Sequence, residues 1–169
     1  IAQPPAWSSG TGQYTDRLVA AFPDELAIDV IELPVDGATP LPFLAAVFDD
    51  RLAHADVVHV QFDYVLFGPF GLYALFCLPL LALRARLNGS PLVVTIHEAL
   101  SGNEALPPLR PLKRLYLRLV NVTVARAATR LGFLSTAART RLTDHITIPT
   151  ERILQLEHGV PEPQNELSD

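Results

Sequence analysis

Short uncharged runs rich in β-branched residues alternate along this chain with longer stretches of helical period. The alternation predicts strands at a stub beginning with Ile1 and at residues 27–33, 56–61, 92–97, 129–135 and 152–157. Helices are predicted at residues 12–22, 41–54, 72–87, 109–127 and 136–145. Six strands joined through five helices make a βα repeat. Right-handed crossovers turn such a repeat into an α/β fold: a doubly wound parallel sheet, Rossmann-like, of about six strands with helices on both faces. The run PLVVTIHE, residues 91–98, is its clearest strand. A parallel strand covered on both faces reads as a continuous apolar run, and ligands of open α/β sheets sit beyond the carboxyl ends of such strands. His97 and Glu98 stand at that end.

The 169 residues suit one domain, expected over 1–160, with the proline-rich polar residues 161–169 as a linker or tail. The chain has no methionine, and Ile1 and Ala2 run directly into Gln3, Pro4 and Pro5, so it is expected to be a piece of a longer protein whose first strand is cut short. Residues 64–83 carry no charge for twenty positions, the length of a membrane span. Gly68, Pro69, Gly71 and Pro79 interrupt them, which favours a loop followed by a helix. The single cysteine, Cys77, lies among Leu75, Phe76 and Leu78 and is expected to be a buried thiol in a reducing compartment.

Charge is unevenly placed. Residues 105–143 hold eight of the thirteen basic residues and none of the eighteen acidic ones, a local charge of +8 that leaves −13 for the remainder. Arg110, Arg114 and Arg118 recur every four residues and share a helical face with Lys113, while Leu112, Leu115, Tyr116 and Leu119 are expected to turn inward. Such a helix suits an anionic membrane surface or an anionic ligand; a solvated face paired with acids elsewhere is the plain structural reading. Nucleic acid is not expected as a partner, because only Tyr116 and Phe133 supply aromatic rings among these basic residues.

Gly10, Thr11 and Gly12 follow the first-strand stub and precede a helix, where glycine lets the backbone approach a ligand and the helix amino end offers N–H groups to a phosphate or sugar oxygen. Thr15 occupies the place of a third fingerprint glycine, while Glu32 lies about twenty residues on, so a nicotinamide reading and a plain capping loop both stay open. His59, inside DVVHVQ, is expected to be a core histidine, with Gln61, Phe62 and Asp63 following at the strand end. His97 is expected to contact ligand, since an imidazole at a strand terminus can donate to a hydroxyl or steady a developing charge. Glu98 orients it or caps the next segment. The five histidines are scattered singly, so no metal is expected, and no Gly-x-Ser-x-Gly elbow occurs.

Taken in order, SSGTGQYTDRLVAAF, ADVVHVQFDY, PLVVTIHE and RILQLEHGVPEP resemble the Gly-rich first loop and helix, the third strand, the fourth strand ending in His-Asp, and the closing strand and turn of family 4 glycosyltransferases. These are retaining enzymes of the two-Rossmann-domain GT-B architecture, and the resemblance is to their amino-terminal domain. It implies transfer of a sugar from a nucleotide-sugar donor to a glycan, lipid-linked or small-molecule acceptor, without metal or other cofactor. It also implies a carboxyl-terminal domain that holds the donor, and a cytoplasmic protein that can be peripheral on the inner membrane face. Carried over by residue, Gly10, Thr11, Gly12, His97 and Glu98 would address the donor, with His97 catalytic. Gln13, Tyr14, Gln61 and Phe62 would shape the acceptor side, and Arg110, Lys113, Arg114 and Arg118 an anionic surface. Glu98 stands where the family has aspartate, and Glu157-His158 where it has Pro-Asn. The competing readings are a nucleotide-sugar epimerase or nicotinamide-binding domain, and a non-enzymatic carbohydrate- or membrane-surface-binding domain.

Overall fold

A computed structural model of the chain describes residues 1–2, 10–33, 39–105, 107–144 and 146–156. Its centre is a parallel sheet of four strands in the order β1 (Val58–Phe62), β2 (Leu92–Ile96), β3 (Arg130–Phe133) and β4 (Ile153–Gln155). The register pairs Val60 with Val94 and Val94 with Leu131, a row without solvent exposure across the middle of the sheet. Each such side chain contributes about 1.5–3 kcal/mol by leaving water.

Among the described residues the sheet has four strands, not the six expected. The first two expected strands survive as one parallel bridge, Ala2 to Glu32, beside β1. There the Ile1 ammonium donates to the His59 carbonyl (2.7 Å) and the Gln61 N–H donates to the Ile1 carbonyl (3.0 Å). On its other side Ala2 donates to the Ile31 carbonyl (3.1 Å), and Leu33 donates to the Ala2 carbonyl (2.9 Å). Residues 27–30 have no regular structure, and the described pairing there is the single Ala2–Glu32 bridge. The expected strand end at residue 157 and the motif Glu157-His158-Gly159 lie outside the described residues, as does 161–169.

The helices are α1 (Gly10–Ala21), α2 (Leu41–Val47), α3 (Ala74–Leu87), α4 (Arg110–Ala127) and α5 (Thr136–Thr143). α2 is shorter than its apolar pattern predicts because the Asp49 carboxylate accepts from the Arg51 N–H (3.0 Å) and starts a separate 3₁₀ turn at Asp50–Ala53. Of the uncharged residues 64–83, the first ten fold as turns, and the remainder join a fourteen-residue α3 that contains Pro79. Among the described residues no helix is long and apolar enough to cross a membrane. Cys77 is buried in α3, and burial pushes its thiol up to about 11, which leaves it an inert core group.

Strand alternation divides the sheet chemically. Val58, Val60, Phe62, Leu92, Val94 and Ile96 share one face, and the Phe62 ring meets Phe67, which in turn meets Phe43 of α2. α2, α3 and α4 form the layer on that side, with Val120 and Val124 of α4 fully buried. His59, Gln61 and Thr95 occupy the opposite face, where α1 lies. Right-handed crossovers explain the split: the chain moves outward from Ile1–Ala2 to residues 31–33, then reverses and runs through β1 to β4. The sheet therefore has a topological switch point between Ile1–Ala2 and β1.

Candidate functional site

At the carboxyl end of the sheet beside that switch point, five polar side chains from three elements meet. His97 follows β2 directly, and its Nε2 lies 2.7 Å from Oε1 of Gln61 on β1. The Gln61 Nε2 lies 3.4 Å from Nε2 of His59, which is also 2.8 Å from the Thr95 hydroxyl. Tyr14 of α1 sets its ring edge-to-face against His97, with centroids 5.0 Å apart and planes at 86°. The helix thus brings its second turn, through Tyr14, to the histidine.

Proton positions in this chain of contacts follow from what each atom can do. An amide oxygen only accepts, so His97 donates through Nε2 to Gln61. An amide nitrogen only donates, so His59 accepts at Nε2 from Gln61, and the Thr95 hydroxyl donates to the same atom. His59 is therefore the neutral Nδ1–H tautomer. Burial, then the positive charge of the nearby amino terminus and of His97, holds its pKa down at about 4, consistent with a ring that accepts. Gln61 and Thr95 are buried, so these bonds offset the cost of placing polar groups between helix and sheet. With Nε2 committed as donor, the neutral His97 ring carries its lone pair on Nδ1.

The other expected site residues are distributed unevenly. Gly10, Thr11 and Gly12 form the first turn of α1 rather than a loop before it, with Thr11 buried and the Thr15 hydroxyl donating to its carbonyl (2.9 Å). Residues 3–9, the rest of the expected Gly-rich loop, lie outside the described residues. Gln13 and Glu98 are exposed. Phe62 does not line the rim. It is fully buried on the apolar face against Tyr64 and Phe67, because it is one residue out of phase with Gln61. Glu32 is exposed and paired to Ala2 at the sheet edge. Among the described residues no three histidine, cysteine or carboxylate side chains cluster as metal ligands would.

Two residues that the sequence did not single out hold the segment after His97. Tyr64 donates its hydroxyl proton to Oδ1 of Asn121 on α4 and accepts from the Leu100 N–H (3.3 Å), while Asn121 Nδ2 donates to the Leu100 carbonyl (3.0 Å). Burial pushes the Tyr64 hydroxyl up to about 12, so it stays a neutral donor. Further on, the Ser101 hydroxyl and the Asn103 amide both donate to the Asp144 carboxylate, at 3.0 and 2.7 Å. The strand-end loop is thereby fastened to α4 and to the end of α5.

The chain matches no protein-family model, and no curated protein matches it in sequence.

Proposed function

We propose that this chain is the acceptor-side half of a retaining glycosyltransferase that takes a nucleotide sugar as donor. The observation that carries the reading is the meeting of His97 with Gln61 and with Tyr14 of α1 at the switch-point rim. Ligands of parallel α/β sheets occupy that crevice. Departure of a nucleoside diphosphate builds negative charge on its oxygens while the sugar carbon becomes positive. The amino end of α1 at Gly10–Gly12 supplies backbone N–H groups and a partial positive charge on that side. A positioned imidazole supplies a donor or acceptor to a sugar hydroxyl without reorganising during the reaction.

By resemblance, a second Rossmann domain holds most of the nucleotide and closes the cleft against water. This chain alone then folds and binds nucleotide sugar weakly, yet does not turn over.

The test joins binding with turnover. UDP-glucose, GDP-mannose and UDP-N-acetylglucosamine titrated into the isotope-labelled chain are expected to move the Gly12 amide and the His97 ring signals together. In the full-length protein His97→Ala is expected to lower sugar transfer by about 10²–10³-fold, with the melting temperature nearly unchanged. Transfer that survives the substitution, or shifts confined to residues remote from His97, would defeat the proposal.

A further inference from the structure

The first half of α4 departs from its expected packing. Val120 is the first buried residue of that helix, and the leucines expected to turn inward remain in water: Leu112, Leu115 and Leu119 are 61%, 63% and 52% exposed. Leu109, which caps the helix, is 67% exposed, and Phe70 is 74% exposed. The Tyr116 hydroxyl donates to the Phe70 carbonyl (3.2 Å), tying that turn to α4. Arg110, Lys113, Arg114 and Arg118 are exposed between the leucines. This half-helix carries leucines along one side and cations along the other, with Tyr116 and Leu117 packed partly against the core.

Backbone strain points to the same place. Among the described residues the non-glycine positions with positive φ are Phe70 (54°) and Leu109 (61°). A left-handed conformation is costly for such side chains, and here both residues present a large apolar group to solvent.

We infer that this half of α4, with Leu109 and Phe70, is a docking surface for an anionic phospholipid bilayer. An interfacial amphipathic helix sinks its apolar side to the acyl boundary and keeps its cations among the headgroup phosphates. Residues 105–143 contain no acidic side chain, so the helix itself carries no negative charge. A second copy packed on the leucines would leave the cations on the other side without a counter-charge. Nucleic acid would neutralise the cations but leave the leucines wet, and the only aromatic residue on this half-helix is Tyr116. A bilayer satisfies both sides at once.

The docking surface lies at the His97 end of the sheet. α4 begins at the rim where the parallel strands end, and Arg114 Nε donates to the Gly102 carbonyl (3.3 Å) of the loop that His97 opens. Docking therefore brings the candidate site to the headgroup layer, and an acceptor carried on a lipid is the class it would meet. That last step rests on the glycosyl-transfer reading. The docking itself rests on α4 and Phe70 alone.

Vesicle flotation of the chain decides it, without any activity measurement. Binding is expected to vesicles of phosphatidylcholine with 30% phosphatidylglycerol and to be absent with phosphatidylcholine alone, and high salt is expected to weaken it. The double variant R110Q/R118Q is expected to lower partitioning on the order of 25-fold, at about fivefold per charge. The triple variant L112S/L115S/L119S is expected to lower it at least tenfold. All five positions are exposed, and thermal melts verify that both variants fold. Indifference to phosphatidylglycerol would overturn the inference. Undiminished binding by the serine variant would also overturn it, leaving simple charge attraction. A dimer in sedimentation velocity that the serine variant abolishes would assign the leucines to a second copy instead.

Discussion

Gln61 accepts a hydrogen bond from His97 at 2.7 Å, and in doing so decides which of the two ring nitrogens carries the proton. Gln61 is itself oriented from behind, because its amide nitrogen points at the acceptor nitrogen of His59. His59 thus acts on His97 through one intervening side chain. Long-range nitrogen–proton NMR spectra are expected to show His97 protonated at Nε2 and His59 at Nδ1. Replacing His59 by leucine removes the acceptor that holds the amide, lets Gln61 turn its NH₂ group toward His97, and is expected to raise the Nδ1–H population of His97. An unchanged His97 tautomer in that variant would show that the relay does not exist.

Acid stability reports on the same pair. His59 is held neutral with a pKa of about 4, against an ordinary value of 6.5, burial being the main cause. Between those values the unfolded chain binds a proton that the folded chain refuses, so stability falls as pH drops from about 6.5 to about 4 and this contribution levels off below. The loss expected from this residue is about 1–3 kcal/mol. Urea unfolding from pH 7 to pH 4 measures it, and His59→Asn is expected to flatten that part of the profile.

Much of this arrangement was written into local pattern, and what was not depends on distant parts of the chain. β2 was legible because LVVTI is uninterrupted and buried on both faces, and its polar end placed His97 at a rim. The amino end of α1 was legible from Gly10 to Gly12 following a strand stub, although the helix begins two residues earlier than its period predicts. Phe62 was misplaced because adjacency in a strand was read as adjacency in space, whereas alternation sends Gln61 and Phe62 to opposite faces. Leu112, Leu115 and Leu119 have a helical period that specifies an apolar side but not whether the domain covers it. Strand number differs for a related reason: residues 27–33 look like a strand, yet a strand needs a ladder partner, and among the described residues the pairing there is the single bridge from Glu32 to Ala2. Tyr64 and Asn121 are 57 residues apart, and neither has a neighbour in sequence that announces the other.

Removing either half of that pair is expected to loosen the loop after His97. Tyr64→Phe leaves the buried Asn121 Oδ1 and the Leu100 N–H short of a partner, and Asn121→Ala leaves the Tyr64 proton without an acceptor. Each is expected to cost about 1–3 kcal/mol. The double variant is expected to cost less than the sum, with a coupling of about 0.5–3 kcal/mol. Hydrogen exchange at Leu100 distinguishes a local effect from a global one: it is expected to accelerate more than exchange at Val94 in the sheet centre. Additive losses would mean that the two residues stabilise the fold independently.

The turn that carries Phe70 depends on a glycine with no tolerance for a side chain. Gly68 has φ +76°, and a Cβ there would lie 2.4 Å from ring atoms of Tyr73. That ring cannot easily retreat, because it is buried with its centroid 4.9 Å from Phe43 and 5.8 Å from Phe76. Gly89, after α3, has nearly the same backbone conformation, φ +78°, but nothing within 4 Å of the added atom. The two positions therefore separate strain from collision. Gly89→Ala is expected to cost about 1 kcal/mol, the backbone term alone. Gly68→Ala adds overpacking against an aromatic cluster and is expected to cost about 2–4 kcal/mol. In a domain of this size each kcal/mol lowers the melting temperature by about 2–4 °C, so a differential melt of the two variants resolves the difference. Equal losses would mean that the Tyr73 ring can move aside, and that the path from Phe67 to Phe70 is not fixed by packing at Gly68.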